Sequence, residues 1–134
     1  MRVQQTSVKH LPLNLYKKMA NLNHRFDGSM QDRLYVLRNP RLNEEGIVHY
    51  LLDGDKLIGW TLLFKKTRRS WLCHIYVRKS ERRKGYGKRL LRANLTYCKR
   101  KNRRLIVCWD DQKEFFDACQ ESYPTKFYPS AYVY

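Results

Sequence analysis

The run Trp71-Leu72-Cys73-His74-Ile75-Tyr76-Val77, followed by Arg82-Arg83-Lys84-Gly85-Tyr86-Gly87 and then Lys88-Arg89-Leu90-Leu91-Arg92-Ala93-Asn94-Leu95, decides how this chain folds. The first piece is apolar and rich in β-branched and aromatic residues, which predicts a strand. From Gly87 the period changes. Leu91, Leu95 and Cys98 recur on one helical face with Leu90 and Asn94 beside them, while Lys88, Arg92 and Lys99 lie opposite. Between strand and helix, Gly85 and Gly87 let the backbone turn its N–H groups inward, toward the positive end of the following helix dipole. That is a place for a di-anion. Arg82, Arg83, Lys84 and Lys88 add charge-assisted hydrogen bonds to phosphate oxygens. The spacing fits neither G-x-x-x-x-G-K-[ST] nor G-x-G-x-x-G, which excludes a P-loop and a dinucleotide fingerprint.

Outward from this segment, residues 47–52 and 57–64 read as two strands, and Asp53-Gly54 between them signals a tight hairpin. With residues 71–77 they predict three antiparallel strands in a row. Residues 3–8 suggest a first strand, and Pro12 suits a helix start. Leu15, Met19, Leu22 and Phe26 then share one helical face, ending before Asp27-Gly28. Leu34, Tyr35 and Leu37 suggest another short helix closed by Asn39-Pro40. Downstream, residues 105–109 read as a strand, and Asp111 with Glu114 as a capping pair for a helix carrying Phe115, Phe116 and Cys119. The aromatic tail around Pro124 and Pro129 makes one edge strand or wraps the core. The length predicts a single domain over residues 1–134.

The segment resembles the central motif of the Gcn5-related N-acetyltransferase (GNAT) family, [RQ]-x-x-G-x-[GA], with Arg82, Gly85 and Gly87 at its defined positions. The order of elements over residues 47–120 is similar as well. The resemblance implies an α/β (α+β) fold: a mixed, mostly antiparallel central sheet flanked by helices, here with a shortened C-terminal part. It also implies acetyl-coenzyme A as co-substrate and no metal. Loop amides of residues 82–88, including Arg83, Lys84, Tyr86 and Lys88, would hold the pyrophosphate. Pantetheine would slip between Ile75, Tyr76 and Val77 on one strand and residues 107–109 on the next, with Phe116 nearby. A strand N–H near residues 75–77 would then polarise the thioester carbonyl.

The catalytic groups match the family less well. Members commonly carry a tyrosine on the helix after the fifth strand, followed by Gly-Phe; Phe115 and Phe116 fall there and no Gly-Phe follows. Tyr123 or Tyr128 is the substitute acid, unless a thiolate with a pKa of about 8.5 leaves unassisted. For the base, the position some members fill with glutamate aligns with Cys73. His74 beside it can accept a proton near neutral pH, and the competing reading is a strand histidine with a structural role. Cys73 as an acyl-accepting nucleophile is a further alternative. The short tail leaves the acceptor site open or completed by a second copy, as a homodimer.

Charge narrows the partners. Seventeen of the 28 Lys and Arg lie between Lys65 and Arg104 with one acid, Glu81, while the rest of the chain carries eleven of each sign. The whole net charge of +16 therefore sits in one segment. This exceeds what one coenzyme needs and points to tRNA, rRNA or other nucleic acid, to an acidic protein, or to a solvated basic surface. The leading reading is an N-acetyltransferase acting on a macromolecular amine, of a protein or of aminoacyl-tRNA. The rival is a non-catalytic binding protein of the same fold that grips nucleic acid or inhibits a partner. The widely spaced Cys73, Cys98, Cys108 and Cys119 predict reduced thiols. No apolar run or leader is evident, so a cytoplasmic protein without membrane contact is expected.

Overall fold

The structure is a computed structural model and describes residues 1–23, 46–65, 70–102, 104–108, 126–128 and 131–133. Its strands are β1 (Gln4–Ser7), β2 (Ile47–Asp53), β3 (Lys56–Lys65), β4 (Ser70–Val77), β5 (Arg104–Cys108), β6 (Lys126–Tyr128) and β7 (Ala131–Val133). The helices are α1 (Leu13–Asn23) and α2 (Tyr86–Arg100). One sheet forms in the order β1-β2-β3-β4-β5-β7-β6. Every neighbouring pair is antiparallel except β4 with β5. The mixed, mostly antiparallel sheet expected from the sequence is the one observed.

Strand alternation divides the core between the two faces of the sheet. Leu51, Leu63 and Ile75 pack against Leu90, Leu91 and Cys98 of α2. On the other face Val48, Trp60, Leu62 and Tyr76 meet Leu15 and Met19 of α1. Each such aliphatic side chain stabilises the fold by about 1.5–3 kcal/mol on burial. Cys98 is buried and in no disulfide. In α2 the apolar stripe predicted from the 3.6 period is the buried stripe, and after the Lys101 cap Asn102, with φ 53°, takes the left-handed conformation that closes helices.

Two details of the β2–β3 hairpin differ from the simplest reading. Asp53 pairs with Lys56, so the loop is the two residues Gly54-Asp55 rather than the four, Asp53 to Lys56, left between the expected strands. Gly54 alone has positive φ, at 59°, as in a loop with glycine first. Between Leu51 and Leu52 the register shifts, with Ile58 as the extra residue of β3. The shift turns Leu57 to the α1 side and Ile58 to the α2 side.

Gly59 sits where β3 meets both β4 and α2. A Cβ there would lie 2.7 Å from the Tyr76 carbonyl oxygen, 3.2 Å from the Val77 Cα and 3.3 Å from a Leu90 methyl. Backbone cannot yield cheaply, so Gly59→Ala is expected to destabilise by about 1–3 kcal/mol. A lowered urea midpoint with unchanged m-value checks this.

The tail is a hairpin rather than one edge strand. β6 pairs with β7, and β7 pairs with β5 through Ile106–Val133, Val107–Tyr132 and Cys108–Ala131. The N–H and C=O groups on the outer edge of β5 require partners, and β7 supplies them. The readings for residues 24–45 and 109–125 lie outside the described residues, Phe26, Phe116 and Tyr123 included.

Candidate functional site

Among the described residues the β4–β5 ladder runs from Ser70–Arg104 to Cys73–Val107, while β4 continues to Val77. On the other edge β4 stays paired with β3 to the end, and the Arg78 N–H donates to the Ile58 carbonyl at 2.8 Å. In an antiparallel ladder the backbone groups of alternate residues point to opposite edges. The Arg78 bond sets the phase: the N–H and C=O of Tyr76 face β3, and those of Ile75 and Val77 face the β5 side. Past the Cys73–Val107 rung, the backbone groups of Ile75 and Val77 are thus directed toward β5.

The loop closes on this strand end. Arg82 donates from Nε to the Val77 carbonyl at 2.9 Å, and its guanidinium lies over the Tyr76 ring, 5.7 Å from the centroid. Tyr76 is buried and stacks on Trp60 at 4.6 Å between centroids, so its ring belongs to the α1-side core. Arg83, at φ 64°, and Gly85, at φ 86°, take left-handed conformations that swing the chain into α2. Gly85 is the residue before the helix, no side chain caps it, and the first helical bond is Arg89 N–H to the Gly85 carbonyl at 3.2 Å. The N–H groups of Tyr86, Gly87 and Lys88 therefore have no acceptor within the helix. With the dipole behind them they form an anion-binding end.

Glu81, the single acid of the basic segment, holds Lys84 at 2.9 Å and Lys56 of the β3 start at 2.7 Å. These two hydrogen bonds lower its pKa to about 2, and Glu81 in turn raises that of Lys84. Lys84 thus stays charged and fixed beside the loop, and the β2–β3 hairpin is tied to the same point. The sequence named the loop residues but not this clamp, whose partners are 25 residues apart.

The predicted residues Ile75, Val77, Arg82, Arg83, Lys84, Gly85, Tyr86, Gly87 and Lys88 thus come together at the β4 end and the start of α2. Tyr76 lies in the same strand but directs its ring and its backbone groups elsewhere. His74 is in β4 opposite Leu62, and its side chain, with Phe116 and Tyr123, lies outside the described set.

A second polar cluster went unnoticed in the sequence. Asn94, fully buried, donates from Nδ2 to Thr61 Oγ1 at 2.6 Å and to the Leu90 carbonyl at 2.8 Å. Its Oδ1 then faces His49 Nδ1 at 3.0 Å, which places the imidazole proton on Nδ1. His49 Nε2, then an acceptor, lies 3.1 Å from the Gln5 Oε1 position, which suits the Gln5 amide turned over so that its NH2 donates.

Burial lowers the His49 pKa from 6.5 to about 4; the Asn94 hydrogen bond opposes this and the Arg100 charge adds to it. Between those values the unfolded chain binds a proton that the folded one does not. Stability is therefore fully present above 6.5 and is lost as pH falls toward 4, by on the order of 3 kcal/mol. Urea unfolding at a series of pH values checks this, and His49→Leu should flatten the slope in that window. The depressed Glu81 carboxyl acts lower, losing its contribution as pH falls from 4.5 toward 2.

The chain matches the model of the acetyltransferase (GNAT) family over residues 15–121. No curated protein matches it in sequence. Among solved structures it is similar to an acetyltransferase of the GNAT family from Staphylococcus aureus Mu50, with TM-score 0.71 and 14% identity over 92% of this chain and 83% of that one. It is similar to Escherichia coli ElaA, with TM-score 0.69 and 12% identity over 99% and 96% of the two chains. An aminoglycoside 6′-N-acetyltransferase complexed with coenzyme A superposes with TM-score 0.65 and 16% identity, over 91% of this chain and 75% of that one. At such identities the likeness is one of fold.

Proposed function

Because the chain belongs to the acetyltransferase (GNAT) family, we propose that it is an acetyl-coenzyme A dependent N-acetyltransferase acting on an amine carried by a macromolecule. The observation that carries this reading is the meeting of two features at one point. The uncapped α2 N-terminus, with Gly85 in the left-handed conformation, adjoins the strand end where Val77 turns its N–H toward the β5 side. The first suits a pyrophosphate and the second an amide-rich arm, the two parts of the coenzyme that the family fold binds. A protein of this fold was solved with coenzyme A.

In this reading the N–H groups of Tyr86, Gly87 and Lys88 hold the pyrophosphate, helped by the Arg83 and Lys88 side chains and by Lys84 in the grip of Glu81. Arg82 acts by holding the Val77 carbonyl, so that the strand end and the loop keep their spacing. The coenzyme supplies an acetyl thioester. The N–H of Val77 donates to its carbonyl oxygen as negative charge builds there during amine attack. Positioning and that hydrogen bond supply much of the acceleration. His74 is the residue we assign to accept the amine proton, and Tyr123 the one to protonate the departing sulfur.

A macromolecular acceptor is supported by the charge distribution, since the cations around the loop exceed what one coenzyme neutralises. The test is release of coenzyme A thiol from acetyl-coenzyme A in the presence of aminoacyl-tRNA, of basic and acidic proteins, and of an aminoglycoside. Turnover on a macromolecular acceptor at least tenfold faster than on the aminoglycoside is expected. Coenzyme binding without turnover on any acceptor would favour the non-catalytic alternative, and turnover on the aminoglycoside alone would refute the macromolecular acceptor.

A further inference from the structure

The cations of α2 are not all near the coenzyme loop. From Arg82 to Cys108 the chain has eleven Lys and Arg and no acid. Arg89, Arg92 and Arg100 are exposed and line a groove of about 430 Å³ between α2 and the β1–β2 edge, floored by His49 and flanked by Gln5 and Thr96. The sheet order puts this edge two strands from β4, on the flank of α2 away from β5. It is therefore a different place from the β4–β5 opening.

We propose that this groove is a binding site for the phosphodiester backbone of RNA. Three features support that ligand. The arginines sit on one rigid helix and span eleven residues, or about 17 Å. A nucleic-acid strand places a phosphate every ~3.4 Å of axis, so several phosphates face that length at once. A lone phosphate or a short anion would engage one arginine and leave the others repelling each other. Among the described residues no carboxylate pairs with any of the three arginines. Arg89 donates instead to the Met1 carbonyl, which holds its guanidinium at the β1 side of the groove.

The chemistry of the groove favours phosphate and ribose. Guanidinium groups match phosphate oxygens in a planar, two-pronged fashion that ammonium groups do not. The Gln5 amide and Thr96 hydroxyl can hydrogen-bond to ribose 2′-hydroxyls, which DNA lacks. The floor is neutral, because His49 is uncharged around pH 7, so it adds no competing charge. Lys99, Lys101 and Arg104, all exposed, extend the positive surface at the α2 C-terminal end.

This site does not depend on acetyl transfer, and its test keeps the two apart. Fluorescence anisotropy with labelled deacylated tRNA is measured over a salt series for the wild type and for an Arg89→Gln/Arg92→Gln/Arg100→Gln variant. A Lys9→Gln/Lys17→Gln/Lys79→Gln variant removes the same charge elsewhere. The expected result is at least 30-fold weaker binding in the arginine variant at 100 mM salt, with a log-log salt slope shallower by about 2–3. The lysine variant should weaken less than threefold. Acetyl-coenzyme A titration of the arginine variant should match the wild type, which also shows that the variant is folded. Equal losses in both variants, equal binding of duplex DNA with the same number of phosphates, or loss of coenzyme binding in the arginine variant would each overturn the proposal.

Discussion

Gly85→Glu is expected to abolish acetyl-coenzyme A binding, with affinity falling at least 100-fold in calorimetric titration, or about 2.7 kcal/mol or more. The substitution acts on the ligand site more than on the fold. A Cβ at Gly85 meets nothing within 4 Å, so no neighbour must move. The φ of 86° disfavours any L side chain, by about 1–2 kcal/mol, which a folded domain can absorb. The new carboxylate then lies at the positive end of α2, where it is stabilised as an intramolecular anion and repels the pyrophosphate it replaces. Gly85→Ala separates the contributions, since it carries the backbone strain without the charge and should lose less than tenfold. Wild-type-like binding by Gly85→Glu would remove the α2 N-terminus from the coenzyme site.

Asn94→Leu should cost about 2–3 kcal/mol of unfolding free energy, although the residues are similar in size and the site is fully buried. Leucine fills the volume but leaves His49 Nδ1 without its partner, while the Leu90 carbonyl keeps its intrahelical bond from the residue 94 N–H. Thr61 keeps some freedom because a hydroxyl can rotate. An orphaned buried group carries a desolvation penalty of about 1–3 kcal/mol, and His49 Nδ1 is left facing an apolar side chain. The check is urea denaturation at pH 7.5, above the window in which His49 itself changes stability. Adding His49→Leu to Asn94→Leu should restore part of the loss, because an apolar pair has no unmet donor. A loss below 1 kcal/mol, or no recovery in the double variant, would show that the polar cluster does not hold β2 and β3 to α2.

Much of the turn between β4 and α2 was legible in the residues. Glycines at 85 and 87 after an apolar run and before a 3.6-period stripe predict an anion-binding turn from local chemistry, and Gly85 adopts the left-handed conformation that such a turn requires. The hairpin was legible to within one residue of its loop. What it missed, the Gly54-Asp55 loop and the extra residue at Ile58, depends on how β3 must register with β4 and α2. The tail was misread for a related reason. Three-residue strands have no periodicity to detect, and β7 exists because β5 has an edge to fill.

Local sequence alone determined that this chain forms a strand, a basic glycine turn and an amphipathic helix, with its positive charge gathered around them, because hydrophobic period, glycine conformation and charge are properties of neighbours in the chain. Only the tertiary structure decided that β4 pairs with β5 through Cys73–Val107, that Glu81 clamps Lys84 to Lys56, and that three arginines of α2 border a groove floored by His49. Those arrangements join residues tens of positions apart. Their geometry follows from strand register and helix placement, which packing of the whole core sets and no local stretch encodes.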